Sequence, residues 1–352
     1  MYKFLQLEPF SLDAERKNNL FFKSLSLLNQ HHYENCKEYS FILDVLGYTK
    51  SRFSKIEDFP FLHVNVFKNN NLYSVKNKNI LKTVKSSGTS GNKTSRIYLD
   101  KENAKTQTKV LKNIVSDFIG NNRLPMLIID SSSEIKSRSI HSARAAGIIG
   151  FSIFGKNKYF ALDKNMELKE KLIIQFFNQY KNQNVLIFGF SYIVWNYFIK
   201  QISKAGYKLP KVKGTLIHGG GWKKLQKEQV SNSIFHKTIH DLIGINKIIN
   251  YYGMVEQTGS IFLECKKGFF HTSNYSDIFI RNKSYSLCNF NEKGLVQLVS
   301  LLPKSYPGHN IITDDLGELK GIDDCKCGRK GKYFLLHGRI KNAELRGCSD
   351  TV

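Results

Sequence analysis

Four apolar runs of strand length punctuate the middle of the chain: Leu124–Asp130, Asn184–Phe190, Lys213–Gly220 and Lys247–Gly253. Each is bounded by turn residues and rich in Val, Ile, Leu, Phe or Tyr, the pattern of a buried strand. Between them, Asn165–Tyr180, Tyr192–Ala205 and Lys227–Leu242 carry apolar residues at helical spacing. Strands alternating with amphipathic helices predict an α/β fold with a largely parallel sheet flanked by helices. All four strands run out into loops rich in Gly, Ser or acidic residues. Ligands of open α/β sheets bind at the carboxyl ends of the strands, so those loops are the expected functional surface.

The flanks follow other patterns. Residues 1–80 read as a helical lead-in to the same domain, with an extended piece at Phe61–Phe67. From Gly294, short alternating stretches broken by turns (GLVQLVSLL, PGHN, DDLGEL) predict a small β-rich subdomain beginning at about residue 290. The expected organisation is a lead-in over 1–80, an α/β domain over 81–335 that includes the β-rich part, and a hinge-like tail over 336–352.

Composition narrows the function classes. A 41% hydrophobic content in 352 residues is enough to fill a core, which argues against disorder. The balance of 53 Lys and Arg against 29 Asp and Glu leaves a charge of +24, which attracts nucleotides, acidic carrier proteins and other polyanions. The basic residues are scattered and no dense basic block with interleaved aromatics occurs, so a dedicated nucleic-acid module is not expected. No apolar stretch reaches the ~18–20 residues of a membrane span. Residues 1–20 hold Glu8, Asp13 and Glu15 without an apolar run, so no secretory signal is expected. Six cysteines are too few for a disulfide framework, and a reducing cytoplasm is the expected setting.

Four segments carry chemistry. In KSSGTSGNKTSR (Lys85–Arg96), glycines and small hydroxyls would let backbone N–H groups and hydroxyls fold round phosphate oxygens. HGGGWKK (His218–Lys224) follows a predicted strand, and three successive glycines permit close approach of a flat ligand. YYGMVEQTG (Tyr251–Gly259) offers an aromatic to stack on a base and a carboxylate to hold Mg²⁺ beside substrate phosphates. DDLGEL (Asp314–Leu319), followed by HGRIKNAELRGCSD (His337–Asp350), pairs a carboxylate with an Arg-Gly hinge suited to ribose and phosphate.

In this order, these segments resemble the signature motifs of the acyl-adenylate-forming superfamily and, within it, the LuxE-type acyl-protein synthetases, which are related to phenylacetate-CoA ligases. SSGTSG with SRIYLD, HGGGWKK, YGMVEQTG with FLEC, CKCGRKG and GRIKNAELRGCSD carry the likeness, from about Phe61 to the end. The resemblance implies that Ser86, Ser87, Gly88, Thr89, Ser90 and Gly91 cradle the β- and γ-phosphates of ATP. It implies that Gly219, Gly220 and Gly221 line the adenine pocket, with Tyr252 stacked on the base beside Gly253, and that Glu256 is the Mg²⁺-linked carboxylate. Asp315 matches the ribose-binding residue, with Asp314 as its rival. Arg339 matches the arginine that contacts ribose or phosphate, and Lys341 falls at the hinge. Where the superfamily often has Pro-Lys after the phosphate loop, this chain has Lys93 and Thr94; where it often has Thr before the glutamate, this chain has Val255.

By the same resemblance, the large C-terminal lysine-bearing domain of other superfamily members is not expected, and Cys348 is the acyl acceptor. The implied activity is ATP-dependent activation of a fatty or other carboxylic acid, transfer to Cys348, and onward delivery to a partner acyl reductase. An acyl carrier protein, coenzyme A or a sugar amine is the alternative acceptor. A non-catalytic basic binding protein on the same fold is the alternative of another class. Separately, Cys265, His271, Cys325 and Cys327 form a candidate Cys₃His set for structural Zn²⁺.

Overall fold

The computed structural model describes residues 3–48, 53–86, 94–135, 140–221 and 230–340. Helices α1 (Ala14–Asn35) and α2 (Lys37–Val45) open the chain. The strands follow as β1 (Leu62–His63), β2 (Ile80–Lys85), β3 (Arg96–Asp100), β4 (Leu124–Ser131), β5 (Ile140–Ser142), β6 (Gly155–Leu162), β7 (Asn184–Phe190) and β8 (Lys213–Gly219). The rest are β9 (Lys247–Gly253), β10 (Ile261–Leu263), β11 (Phe270–His271), β12 (Ser276–Arg281), β13 (Lys293–Ser300), β14 (Asn310–Ile322) and β15 (Lys332–Arg339). Two compact units divide them. The first draws on Met1–Ser86, Lys93–Val115 and Gly253–Glu344, the second on Ser87–Asn92, Ser116–Tyr252 and Leu345–Val352.

The second unit holds the parallel sheet, in the order β9-β8-β7-β4-β6. Leu127, Ile128, Leu186, Phe188, Leu216 and Ile217 are all buried. This explains why β4, β7 and β8 read as near-continuous apolar runs: helices cover a parallel sheet on both faces. The helix Glu170–Tyr180 buries Ile173, Phe176, Phe177 and Tyr180. It starts five residues later than the pattern predicts, because Asp163 Oδ1 accepts from the N–H groups of Asn165 and Glu167 and turns the chain first. The helix Asn232–Ile243 is capped by Ser231, whose hydroxyl accepts from Ile234 N, and ends at Gly244 with φ +82°. Between these two helices, Ser191–Ala205 is helical throughout, with a π-helical stretch at Val194–Ile199.

The first unit is organised on an antiparallel sheet, β11-β15-β14-β13-β12, with β1 added parallel to β14. The extended piece expected at Phe61–Phe67 is thus only two residues of strand, followed by a short helical turn at Val66–Asn69. α1 starts at Asp13, whose carboxylate accepts from Arg16 N, and it carries one buried cation. Lys17 donates to Thr272 Oγ1 at 2.8 Å and lies 3.4 Å from Asp277, which also receives Lys332 at 2.9 Å. Burial outweighs the Asp277 attraction and lowers the Lys17 ammonium to about 8. No helix among the described residues is long and apolar enough to cross a membrane.

Candidate functional site

In the second unit the glycine-rich segment ends β8. Gly219 lies opposite Tyr251 in the β8/β9 register, and a Cβ at Gly219 would come within 2.6 Å of the Tyr251 ring and carbonyl. Only glycine fits there. Gly220 and Gly221 follow with φ of +83° and +49°, so they are glycines for handedness rather than space. The Tyr251 ring is taken up by packing, 4.9 Å from Phe151 and stacked at 27° on Phe188. Strand alternation turns Tyr252 to the opposite face, where it is half-buried.

Two polar pairs beside these strand ends carry no motif. Ser191, directly after β7, has its hydroxyl 2.8 Å from His218 Nδ1 and 3.0 Å from the Gly219 carbonyl. The carbonyl can only accept, so Ser191 donates to it and receives the Nδ1 proton. His218 Nε2 is then a bare acceptor, buried without a hydrogen-bond partner. Burial, with His236 adding repulsion, pushes the His218 imidazole down to about 3, so it is neutral. The π-helical stretch begins three residues after Ser191, and such turns are frequent at functional sites.

The second pair is Asp130, near the end of β4, with Arg144. The guanidinium donates from Nε and Nη2 to the two carboxylate oxygens at 2.8 and 2.6 Å, both side chains being almost fully buried. Burial raises the Asp130 carboxyl, and Arg144 opposes that rise. Removing one partner leaves an uncompensated buried charge. Arg144→Met is therefore expected to cost about 3–5 kcal/mol in urea unfolding, and Asp130→Leu added to it to recover much of the loss. A single-variant loss below about 1 kcal/mol would mean that the pair behaves as a solvated one.

In the first unit, β2 and β3 pair up to Lys85 and Arg96. Beyond them Ser86 N donates to Ser95 O at 3.1 Å, and Ser95 N donates to Ser86 Oγ at 2.9 Å. Ser86 thus pins the base of the Ser/Gly/Thr loop, whose residues Ser87, Gly88, Thr89, Ser90 and Gly91 lie outside the described residues. Glu256 sits buried in the single turn Val255–Gln257. Gln257 fixes that turn by donating to the carbonyls of Leu298 and Gly308, both at 2.9 Å. Gly259 locks it again, because a Cβ there would strike Gln107 at 2.8 Å. A buried carboxylate on so constrained a turn suits a cation-binding role.

The rival carboxylates Asp314 and Asp315 separate on β14. Asp315 is the register partner of Arg339 and accepts from its Nε at 2.8 Å. Asp314 lies 3.2 Å from His63 Nε2, brought alongside by the β1–β14 pairing, and that hydrogen bond holds its carboxyl below the ordinary range. The Cys265, His271, Cys325 and Cys327 ligand atoms come together in this unit, all within 4.8 Å of one another. Cys348 and Lys341 lie outside the described residues.

A family model described as acyl-protein synthetase, LuxE, matches residues 3–352. The chain belongs to the LuxE acyl-protein synthetase family. No curated protein matches it. Among solved structures, the LuxE-family chain is similar to 2-hydroxyisobutyryl-CoA ligase. The open conformation of that enzyme, in complex with 2-HIB-AMP and CoA, matches with a TM-score of 0.72 at 14% identity, covering 94% of this chain and 71% of that one. Its thioesterification state, also in complex with 2-HIB-AMP and CoA, matches with a TM-score of 0.73 at 14% identity, covering 95% and 70%. At such identities the likeness establishes the fold, that of the acyl-adenylate-forming ligases. LuxE membership and this fold together indicate an acyl-adenylate-forming ligase.

Proposed function

We propose that the protein activates a fatty or other carboxylic acid with ATP and passes the acyl group to its own Cys348. In the first step a carboxylate oxygen attacks the α-phosphorus of ATP, forming acyl-AMP and breaking the bond to pyrophosphate. In the second, the Cys348 thiolate attacks the acyl carbon, forming a thioester and expelling AMP. The observation that carries this reading is the family match from residue 3 to 352, which takes in the RGCSD segment.

The protein's tasks follow from the charges involved. An anionic carboxylate must approach a triphosphate, so the site has to neutralise charge and hold the two in line. The SSGTSG loop from Ser86 to Gly91 is assigned to the β- and γ-phosphates, and Gly219–Gly221 with Tyr252 and Gly253 to the adenine. Glu256 would hold Mg²⁺, which supplies positive charge to the phosphates when bound. Asp315, as an acceptor-only carboxylate, suits ribose hydroxyls, and the Nε bond from Arg339 orients it.

The test is acid-dependent pyrophosphate exchange over a panel of carboxylic acids. Asp315→Ala removes charge-assisted hydrogen bonds worth about 1.5–3 kcal/mol, so the KM for ATP should rise roughly 10- to 100-fold. Asp314→Ala, which loses the His63 contact and a lesser attraction to Arg339, should leave that KM within about twofold. The reverse ranking would assign the ribose to Asp314. Absence of exchange with every acid in the panel would favour a non-catalytic basic binding protein.

A second reading keeps the adenylate and changes the acceptor to coenzyme A, an acyl carrier protein or a sugar amine. It is favoured by one observation: the structurally similar 2-hydroxyisobutyryl-CoA ligase was crystallised with CoA. Under the first reading the thioester passes to an acyl reductase, and the +24 charge suits an acidic partner.

A further inference from the structure

Two turns of the same form face each other in the first unit. In Cys265-Lys-Lys-Gly268, the Gly268 N–H donates to the Cys265 carbonyl at 2.8 Å, with φ +80° at the glycine. In Cys325-Lys-Cys-Gly328, the Gly328 N–H donates to the Cys325 carbonyl at 2.9 Å, with φ +94°. Each turn curls its backbone round a thiol, and in the first the Lys267 N–H reaches Cys265 Sγ at 3.4 Å. The first turn links β10 to β11, and the second lies in the loop between β14 and β15. His271, at the end of β11, completes the group with Nε2 3.3 Å from Cys327 Sγ.

We propose that Cys265, His271, Cys325 and Cys327 bind one zinc ion in a closed, structural centre. Three thiols and an imidazole are a tetrahedral donor set for Zn²⁺, with metal–sulfur bonds of ~2.3 Å and hence sulfur–sulfur edges of about 3.8 Å. The observed group, with every pair of ligand atoms within 4.8 Å, needs only small side-chain adjustments to reach that size. Cys265, Cys325 and His271 are buried and Cys327 is half-buried. Four protein ligands leave no open position for substrate or water.

Charge and packing agree with the assignment. Zn²⁺ with three thiolates and a neutral imidazole carries a net −1, and Lys266, Lys267, Lys326 and Arg329 flank the ligands in sequence. The His271 ring is held by Tyr333, stacked 5.7 Å away at 22°, and by the edge of Phe10 at 6.3 Å.

The centre ties three parts of the chain. It joins the β10–β11 turn to the β14–β15 loop, and that loop holds the N-terminal arm. Lys330 N donates to the Phe10 carbonyl at 3.1 Å. Asp323 accepts from Ala14 N at 2.8 Å and from Gly331 N at 2.7 Å. Arg339 lies six residues beyond Tyr333 on β15, roughly 20 Å along the strand. With all four positions taken by protein ligands and Arg339 far along the strand, the ion holds the fold and offers no position to a substrate.

The test is metal analysis of the purified full-length chain. Wild type should retain about one zinc per chain through gel filtration, and the double variant Cys325→Ser/Cys327→Ser should fall to background. Cys36→Ser and Cys288→Ser should retain it. Cobalt substituted into wild type should give thiolate-to-metal charge-transfer bands and the d–d spectrum of a tetrahedral site, both absent in Cys327→Ser. Should the variants fail to fold, the wild-type cobalt spectrum and the number of thiols unmasked by a chelator decide alone. A folded wild type without a transition metal, with these cysteines reactive as free thiols or joined in a disulfide, overturns the proposal. Undiminished zinc in the double variant also overturns it.

Discussion

Cys348→Ser is expected to abolish hydroxylamine-labile acylation of the protein while leaving acid-dependent pyrophosphate exchange within about twofold of wild type. The asymmetry follows from the two half-reactions. Adenylate formation uses the carboxylate, ATP and the groups that hold them; the thiol enters only afterwards. A cysteine is a few per cent thiolate at neutral pH and strongly nucleophilic even so, whereas a serine hydroxyl without a base beside it is almost wholly protonated. Label on the variant should therefore drop by at least about a hundredfold. Purified protein would be incubated with ATP and radiolabelled fatty acids, and label then released with hydroxylamine. Equal label on wild type and Cys348→Ser would remove Cys348 as acceptor. Exchange without label on either would favour the external acceptor.

Stability should fall steeply as the medium is acidified below pH 6.5, well before most carboxylates titrate. His32 and His309 stack at 4.9 Å and 18° in the first unit, and His218 is buried in the second. His32 Nε2 faces the Pro303 carbonyl and its Nδ1 faces the Ser74 hydroxyl, contacts a neutral ring satisfies without gaining a proton. Burial, together with neighbouring imidazoles, pushes His218 and His309 to about 3 and His32 well below its ordinary value. The folded state thus resists protons that the unfolded chain accepts below about 6.5. The stabilising difference is complete above that pH and is lost as pH falls toward the folded values. Linkage approaches about 1.4 kcal/mol per pH unit for each ring once the unfolded ring is fully charged, so His218 and His309 alone remove roughly 3 kcal/mol between pH 6.5 and 5. Urea unfolding at intervals over that range measures it. A slope of less than one proton would show that these rings protonate freely inside the fold.

In the parallel sheet β4, β7 and β8 were legible because burial on both faces leaves a near-continuous apolar run, and with β9 they begin where the pattern places them; the edge strand β6, exposed at Lys156, Asn157 and Lys158, was missed. Helix starts were less so. A carboxylate that turns the chain, such as Asp163, looks in sequence like any polar residue on an exposed helical face. The strand β12 was missed for a different reason. Its Ser276, Asp277 and Arg281 are buried, made tolerable by Lys17, Lys332 and Gln297 from distant segments. No local pattern announces such partners. The same holds for Asp130–Arg144 and Ser191–His218, where a single polar residue at the end of an apolar run meets one 14 or 27 positions away. All four residues of the metal-ligand set were named from the sequence, where Cys-Lys-Cys-Gly is a recognisable turn; the β11–β15 pairing that carries His271 to it was not legible. The family signature was readable because its motifs keep their order.

The contact between Gly219 and Tyr251 has a consequence for how this protein can change over time. The glycine is required by the ring and the carbonyl of Tyr251, which together occupy the space a side chain would need, whatever the loop beyond it binds. Shrinking residue 251 would remove the ring but not the carbonyl, so alanine at 219 would still need the β9 backbone to shift, and a shrunken residue 251 leaves a hole beside Phe151 and Phe188. Position 219 should therefore stay glycine as its neighbours drift, whatever side chain position 251 comes to carry. A redesign that transplants strand β9 with its tyrosine into another scaffold would have to carry the facing glycine with it.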